Sequence, residues 1–335
     1  MIEAETSGQK EVAAKTMKMV QPRPVFWGDK RYHAFNWHLR QEFGAKVVRV
    51  ALDGGFTCPN RDGTLGTGGC AYCSGRGSGD FAGMPDISIH AQFEQIRSVL
   101  AKKWPRAKYL AYFQAFTNTY APVSRLREVY TAALNEPDVV GLAVATRPDC
   151  LPMDVLDYLS ELNRQTYLWV ELGLQTIHAS TLTWIGRGHT YAQFLAAVQE
   201  LRERGIRVCT HIILGLPGET REAMLRTAEA VAALPVQGLK IHLLHVLRAT
   251  RLASEFAARP FPLLERDEYV RLVVDVLELL PPDMIIHRLT GDGPPDDLIA
   301  PLWSRKKWEV LNAIDAELAR RDSWQGKRRL LPDRP

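Results

Sequence analysis

The alternation of short apolar runs with amphipathic stretches constrains the fold of this chain more than any other feature. Seven apolar runs typical of buried strands recur along the chain, and helix-like stretches separate them. The predicted strands cover residues 46–52, 108–113, 139–145, 167–173, 206–214, 238–244 and 284–289. Repeated strand–helix–strand units indicate an α/β protein built around a parallel sheet.

Six such units and a seventh strand fall short of the eight units of a complete (β/α)8 barrel. An incomplete barrel and an open doubly wound sheet are therefore the two candidate architectures. Thr190 and Ser124 are predicted N-caps of two of the helices. We expect an N-terminal lead and docking segment over 1–45, a core domain over 46–290, and a C-terminal helical extension with a basic tail over 291–335.

Composition and charge exclude several classes of protein. The chain is 46% hydrophobic and 24% charged, which is typical of soluble globular proteins. No apolar run reaches the ~18 residues of a membrane helix, so no membrane partner is expected. The polar start lacks a secretory signal, and the odd number of cysteines, five, does not suggest a disulfide scaffold. These features favour a cytoplasmic protein. The net charge of +4 is compatible with an anionic partner without requiring one.

A glycine-rich loop directly after the first strand carries Cys58, Cys70 and Cys73 in the pattern C-x11-C-x2-C. Active sites of parallel α/β folds lie at this end of the strands. Three thiolates favour an iron–sulfur cluster with one iron left open. A zinc site, which prefers four ligands, and buried structural thiols are the alternatives. Cys150 and Cys209 are expected to be buried structural residues.

Strand alternation places polar side chains on the interior face of the sheet. On the fourth strand Glu171 and Gln175 share that face and need partners, which a polar ligand or an internal salt bridge would supply. Later strands add His211 and Lys240, and Gly215 permits close approach of backbone to a ligand. We interpret these as a polar pocket, with the following candidate catalytic residues: His242, His245, His287 and Arg288.

Nine ordered motifs between about residues 46 and 315 resemble the radical S-adenosylmethionine (SAM) enzymes, and specifically a bacterial group without an assigned function. The motifs are CPNRDGTLGTGGCAYC, YFQAFTNTYAP, ATRPDC, ELGLQT, GRGHTYAQF, HIILGLPGE, HLLHV, HRLTGD and APLW. The resemblance implies a partial (β/α)6 TIM-type barrel. It also implies a [4Fe–4S] cluster on Cys58, Cys70 and Cys73, with Tyr72 beside it. A one-electron reductant of the flavodoxin or ferredoxin type would reduce this cluster, which would cleave SAM to a 5′-deoxyadenosyl radical that abstracts hydrogen from substrate.

The middle of the chain is similar to the catalytic subunit of Elongator and to oxygen-independent coproporphyrinogen dehydrogenase. This similarity and the pocket analysis together give the expected SAM contacts: Thr117, Glu171, Gln175, Arg187, His211 and Gly215. Two departures stand out. The cysteine spacing is C-x11-C rather than the usual C-x3-C, and the segment 114–117 replaces the glycine-glycine-glutamate motif, so that Thr117 would take over part of that contact with SAM.

Three hypotheses for the function follow. The first is modification of a wobble uridine in tRNA, motivated by the Elongator-like middle and by two basic runs, Arg305-Lys306-Lys307 and Lys327-Arg328-Arg329. No DNA partner is expected. The second is a small-molecule oxidoreductase in which the four candidate catalytic residues bind substrate carboxylates. The third is a non-catalytic iron–sulfur regulatory protein.

Overall fold

The computed structural model describes residues 26–329. The strands in this part of the chain are β1 (Val47–Leu52), β2 (Lys108–Phe113), β3 (Val139–Thr146), β4 (Tyr167–Gln175), β5 (Arg207–Leu214), β6 (Gly238–Leu243), β7 (Val246–Leu247), β8 (Ile285–Arg288) and β9 (Leu298–Ala300). The α-helices are α1 (Phe35–Phe43), α2 (Ile89–Lys103), α3 (Val123–Leu134), α4 (Met153–Gln165), α5 (Ala179–Trp184), α6 (Tyr191–Glu203), α7 (Arg221–Ala232), α8 (Arg251–Ala258), α9 (Arg266–Leu279) and α10 (Lys307–Arg320).

The order of the strands decides between the two candidate architectures. Within residues 26–329, seven parallel strands form one sheet in the order β1-β2-β3-β4-β5-β6-β8. A doubly wound sheet reverses its strand order at a switch point, and this sheet does not. The sheet therefore curls in one direction as a half-barrel, which confirms the partial TIM-type barrel.

Each strand of the half-barrel presents one face to the helices and one to the interior. On β4, Leu168 and Val170 belong to the large core under the helices, whereas Trp169 belongs to a smaller cluster on the inner face. The predicted alternation of β4 is thus confirmed. Parallel strands that are covered on both faces are apolar along most of their length. Polar residues on the inner face are therefore unusual for such a sheet.

The segment before β1 closes the amino end of the half-barrel. Ala34 pairs with Ile286 beside the edge strand β8, and the Ile286 amide donates to the His33 carbonyl oxygen (2.8 Å). Helix α1 then places Phe35 edge-on to Trp169, with ring centroids 5.9 Å apart. This part of the predicted lead is a docked helix that plugs the interior, while residues 1–25 lie outside the described residues.

The predicted helix starts were right in one case and wrong in the other. Thr190 caps α6 in a capping box with Gln193, as predicted. Ser124 does not cap α3, because that helix already begins at Val123 with Pro122 at the N-cap position. Ser124 therefore lies inside the first turn, beyond the N-cap position, and α3 has no side-chain cap.

The C-terminal segment packs against the barrel. Strands β7 and β9 pair as a small antiparallel sheet that the sequence analysis did not predict. After α10, the side chain of Gln325 donates to the carbonyl oxygens of Pro281 (2.5 Å) and Met284 (2.7 Å), and Ser323 donates to Glu278 (2.6 Å). None of the helices in the described part of the chain has both the length and the apolar character needed to cross a membrane.

Candidate active site

A cavity opens at the carboxyl ends of the parallel strands, between the cysteine loop and the loops that follow β6 and β8. Most of the residues singled out from the sequence line it: Cys58, Cys70, Tyr72, Cys73, Thr117, Glu171, Gln175, Arg187, His211, His242, His245 and Arg288. Two do not belong to the described lining. Gly215, with φ of 89°, lies beside Leu264, and the His287 ring is buried beneath the cavity, stacked on Phe35 at 4.0 Å. Their expected roles, a SAM contact for Gly215 and catalysis for His287, stay predictions, and neither residue is part of the described cavity lining.

The cysteine loop is shaped by hydrogen bonds between its own backbone groups. The Cys58 carbonyl oxygen accepts from the amides of Arg61 (2.8 Å) and Asp62 (3.2 Å), and the Cys73 amide donates to the Cys70 carbonyl oxygen (3.0 Å). The three cysteines are free thiols, and those of Cys58 and Cys70 are buried. Because a single turn joins Cys70 to Cys73, the spacing of this pair is set locally by the sequence.

Two side chains donate hydrogen bonds to the Cys70 sulfur. The Asn60 amide nitrogen lies 3.4 Å from Sγ, and a guanidinium nitrogen of Arg187 lies 3.6 Å from it. Burial, the largest single cause, would raise the pKa of the Cys70 thiol, but the charges of Arg187 and Arg147 and the hydrogen bonds from Arg187 and Asn60 together outweigh it, and the pKa is lowered. Arg187 also donates to the Gly173 carbonyl oxygen (2.9 Å), so its hydrogen bonds in this structure go to the loop and to β4. Donors directed at a sulfur suit a metal-bound thiolate.

Gly77 lets the cysteine loop pack closely on the segment that follows β2. A Cβ on Gly77 would lie 2.4 Å from the ring of Phe116, and Gly77 has φ of 61°. Only glycine fits such a position without strain. The loop therefore lies directly on the segment that follows β2, where Thr117 faces the cavity.

The arrangement of the three loop cysteines argues against a single zinc ion. Zn–S bonds of about 2.3 Å in a tetrahedral site would bring any two sulfurs within about 4 Å of each other. Among the described residues, the loop cysteines do not form a group whose ligand atoms all lie within 4.8 Å of one another. A cluster, in which each sulfur binds a different iron, accommodates wider spacing. The donor set and the hydrogen bonds to Cys70 fit an iron–sulfur cluster.

The floor of the cavity is a buried ionic network around Glu171. One carboxylate oxygen accepts from Arg49 (2.9 Å), and the other accepts from Lys240 (2.8 Å) and His211 (2.8 Å). Lys240 also donates to the Tyr112 hydroxyl (2.7 Å). Burial opposes ionisation of Glu171, but the two cations hold its pKa well below the ordinary value. Both carboxylate oxygens are therefore taken by the protein, and the internal salt bridge is the alternative realised here rather than a direct contact with SAM.

The same network excludes a second metal site. The ligand atoms of Glu171, Cys209 and His211 lie within 4.8 Å of one another, which on distance alone would suit a metal ion. Arg49 and Lys240 already neutralise the carboxylate, and burial raises the pKa of the Cys209 thiol well above its ordinary value. The group therefore consists of a paired carboxylate, a protonated thiol and an imidazole.

The wall opposite the cysteines carries His242, His245 and Arg288. Burial lowers the pKa of His245 to about 4 and that of His242 well below its ordinary value, so both imidazoles are neutral at pH 7. Their Nε2 atoms are shielded from solvent and have no hydrogen-bond partner among the described residues. A buried polar atom without a partner is costly, which points to a ligand that supplies one.

Thr117, Gln175 and Tyr72 also line the cavity. The Thr117 hydroxyl is buried and unpaired within the described part of the chain. Gln175 has φ of 75° at a register shift between β4 and β5, which re-aims the end of the strand. Left-handed backbone in a residue other than glycine is uncommon and often marks a functional position. The geometry is thus compatible with the expected contacts of Thr117 and Gln175 with SAM.

Sequence reasoning missed Arg49, Tyr112 and Asn60. Arg49 and Tyr112 come from the inner faces of β1 and β2, and the signal for them was a polar residue inside an apolar strand. Asn60 lies in the cysteine loop and donates to the carbonyl oxygens of Gly186 (2.8 Å) and Arg187 (3.1 Å) as well as to Cys70. No local pattern distinguishes it from an ordinary turn residue.

Comparison with known proteins agrees with this geometry. The chain is 55% identical over 311 residues to "Uncharacterized protein YtqA" of Bacillus subtilis, covering 93% of this chain and 97% of that protein. It is 30% identical over 161 residues to the tRNA uridine(34) acetyltransferase of Dehalococcoides mccartyi, covering 46% of this chain and 34% of that protein. The structure of the archaeal Methanocaldococcus infernus Elp3 superimposes with a TM-score of 0.64 at 17% identity, covering 83% of this chain and 64% of that one, and shows the shared fold.

Two family profiles cover most of the barrel and the segment after it. The Radical SAM superfamily matches residues 61–231, and the Radical_SAM C-terminal domain matches residues 236–320. The family works with a [4Fe–4S] cluster and SAM, in agreement with the donor set of the cysteine loop. The chain therefore belongs to the radical SAM superfamily.

Proposed function

We propose that this protein is a radical SAM enzyme that modifies the wobble uridine of tRNA. The support from sequence is the partial similarity to a tRNA uridine(34) acetyltransferase, of which this chain spans about a third. The observation that carries the proposal is an exposed surface beside the cavity mouth that combines an aromatic ring with cations. Such surfaces bind single-stranded RNA by stacking and phosphate contacts.

Different residues around the cavity would have different roles in such an enzyme. Cys58, Cys70 and Cys73 would hold the cluster, while Thr117 and Gln175 offer polar contacts to SAM. When bound, the two cofactors supply a 5′-deoxyadenosyl radical by reductive cleavage of SAM, with the electron coming from a one-electron donor of the flavodoxin or ferredoxin type. The aromatic plug formed by Phe35 and Trp169 excludes water from below.

The RNA-facing surface, as we define it, comprises Leu302, Arg305, Lys306 and Trp308. Trp308 is 73% exposed and Leu302 is 57% exposed. The surface adjoins the cavity, because the neighbouring Lys307 pairs with Asp292 of the cavity lining. An exposed tryptophan among exposed cations provides a stacking platform for a base and charges for its phosphates.

The second basic run, Lys327-Arg328-Arg329, packs against the barrel and α9. Lys327 donates to the carbonyl oxygens of Arg321 (3.3 Å) and Asp322 (2.8 Å), and Arg328 lies 3.6 Å from the Glu278 carboxylate on α9. Arg329 donates to the Ala232 carbonyl oxygen (3.0 Å). These cations stabilise the end of the chain against the barrel.

The cations of the first run have partners too, since Arg305 donates to the Pro295 carbonyl oxygen (2.5 Å) and Lys306 lies 2.9 Å from the Glu309 carboxylate, but that run adjoins the exposed ring of Trp308. We therefore assign RNA to the run at Arg305.

The deciding experiment is mass spectrometry of tRNA nucleosides from a strain that lacks the gene. A change in a wobble uridine derivative, restored by the wild-type gene and not by Cys70→Ala, is the expected result. An unchanged tRNA profile would overturn the proposal, and altered metabolite pools in the same strain would favour the small-molecule oxidoreductase instead. Anaerobic incubation of the reconstituted protein with SAM and dithionite separates catalysis from the regulatory alternative, because only an enzyme forms 5′-deoxyadenosine.

The RNA-facing surface has its own test in tRNA binding by the purified holoenzyme. Trp308→Ala is expected to weaken binding about tenfold, the range for loss of one stacked base. Arg305→Ala with Lys306→Ala should weaken it further and reduce its salt dependence. The matched control is Lys102→Ala with Lys103→Ala, which removes the same charge from exposed positions at the end of α2. Equal losses from both double variants would contradict a specific surface.

A further inference from the structure

We propose that His242, His245 and Arg288 form a subsite that binds an oxyanion of the substrate, either a carboxylate or a phosphate group. The inference rests on the proposed function in one respect: it takes this cavity to be the place where substrate binds. It adds a chemical requirement that neither the family nor the tRNA proposal supplies, namely a negative charge on the substrate close to the reacting position.

The first support is convergence of the three side chains on one point. A Cβ on Gly291 would lie 3.6 Å from Cε1 of His245, 3.8 Å from Nδ1 of His242 and 4.0 Å from a guanidinium nitrogen of Arg288. The histidines come from β6 and the loop after it, and Arg288 ends β8. Because Gly291 has no side chain, the space among the three groups stays open to the cavity that all three line.

The second support is unused hydrogen-bonding capacity. Nε2 of His242 and Nε2 of His245 are shielded from solvent and have no partner among residues 26–329. A neutral imidazole can present its proton on either nitrogen, so each ring can act as a donor. Leaving two such buried atoms unpaired destabilises the empty cavity. A ligand with several acceptor oxygens would satisfy both rings and the guanidinium together.

The third support is the balance of charge in the interior. Lys240 and Arg49 share the single carboxylate of Glu171, and Arg288 lies 3.7 Å from Asp292, which Lys307 also contacts. Cations therefore outnumber carboxylates along this wall. Besides burial, the positive charges of Lys240 and Arg288 help to lower the pKa of His242. An anion bound here would complete the ionic pairing.

A metal ion is a poorer occupant of the same space. The ligand atoms of His242, His245 and Asp292 do not form a group within 4.8 Å of one another among the described residues. The guanidinium of Arg288 would also repel a divalent cation. Arg288 instead provides the planar, permanently charged donor that suits carboxylates and phosphates.

The test uses the oxidised holoenzyme labelled with 15N-histidine, titrated with sodium acetate and separately with inorganic phosphate. Sodium chloride at matched ionic strength is the reference. Two of the nine histidines, identified by His242→Gln and His245→Gln, are expected to shift and saturate with one of the anions. Saturation by acetate alone assigns a carboxylate, and saturation by phosphate alone assigns a phosphate group.

Three variants make the outcome decisive. Arg288→Gln should weaken anion binding at least about tenfold, the effect of one charged hydrogen bond. Gly291→Ala fills the space without removing a donor and should also weaken binding, so the test does not depend on the Arg288 variant folding well. Arg248→Gln removes an exposed cation outside the cavity lining and should change nothing. Shifts that do not saturate, or that match those in chloride, would overturn the subsite. A saturable response together with unchanged tRNA nucleosides would refute only the tRNA proposal.

Discussion

At one end of the cavity three cysteines come from a single loop, whereas at the other end the polar side chains arrive from separate strands. The cysteine end is shaped by hydrogen bonds within the backbone of its own loop. Asn60 and Arg187 also donate hydrogen bonds to the Cys70 sulfur. The opposite end depends on the packing of β4, β5, β6 and β8, which brings His242 and Arg288 to one wall. A short sequence motif therefore suffices to position the three cysteines, whereas only the complete half-barrel positions His242 and Arg288.

Within the end built by the strands, the network around Glu171 and the wall formed by His242 and His245 differ in how their polar atoms are satisfied. Around Glu171 every carboxylate oxygen has a protein partner, so this network stabilises the barrel and joins β1 to β4 and β6. Beside it, the Nε2 atoms of His242 and His245 have none among the described residues. Nε of Arg49 and Nε2 of His287 in the network are also unpaired among the described residues, but neither residue belongs to the cavity lining, whereas His242 and His245 do. The two histidines are therefore the residues that are available to a ligand. Mutations in the Glu171 network should therefore lower the stability of the fold, whereas mutations of His242 and His245 should lower ligand binding.

The largest expected effect is loss of the cluster. Replacing Cys70 with alanine removes one of the three proposed ligands, and iron content should fall from about four atoms per chain to near zero. Formation of 5′-deoxyadenosine should stop with it. Cys209→Ala is the matched control, since that thiol is buried in the inner cluster away from the loop and should leave iron unchanged. Retention of iron by the Cys70 variant would contradict the assignment of the loop cysteines as cluster ligands.

The next effect concerns the buried ionic network. Glu171→Gln keeps the shape of the side chain but leaves Arg49 and Lys240 without a counter-charge, which should lower the free energy of unfolding by about 3–5 kcal/mol. Chemical denaturation measures it. The control is Glu161→Gln, which breaks the surface pair with Arg127 and should have only a small effect. A small loss from both variants would mean that the network does not hold the half-barrel together.

A smaller effect is expected from pH. Burial lowers the pKa of His245 to about 4, below the ordinary value of 6.5. Between pH 6.5 and about 4 the unfolded chain takes up a proton that the folded histidine does not, so stability falls as the solution becomes more acidic. Each such histidine contributes up to about 1.4 kcal/mol per pH unit. Denaturation across this range should show a shallower slope for His245→Gln, whereas His90→Gln, which alters a ring 70% exposed, serves as the control.

The smallest effect is a change in the reduction potential of the cluster. Asn60 donates to the Cys70 sulfur, and such donors favour the more negatively charged reduced state. Removing the donor with Asn60→Ala should make the potential more negative by on the order of 40 mV, the equivalent of about 1 kcal/mol. Redox titration measures the shift. Asn163→Ala, which removes an amide from α4 that donates to the Gly205 carbonyl oxygen instead, should leave the potential unchanged.

Much of the fold was predictable because it depends on periodic patterns. All seven parallel strands were predicted within a few residues, since apolar runs separated by amphipathic stretches specify them locally. Strands β7 and β9 were not predicted, because β7 has only two residues and β9 three, too few for a pattern. The predicted N-cap at Ser124 was wrong because α3 begins one residue earlier, at Val123.

The sequence by itself determined the seven parallel strands, the cysteine loop at the end of β1 and the polar character of the inner face. It did so because alternation, spacing and residue type act over a few residues at a time. Tertiary structure alone decided that Glu171 pairs with Arg49 across the barrel, that one basic run is exposed beside the cavity, and that three side chains converge on Gly291. Those outcomes depend on how distant strands curl toward one another, and the partner of a buried charge is fixed only when that curvature is complete.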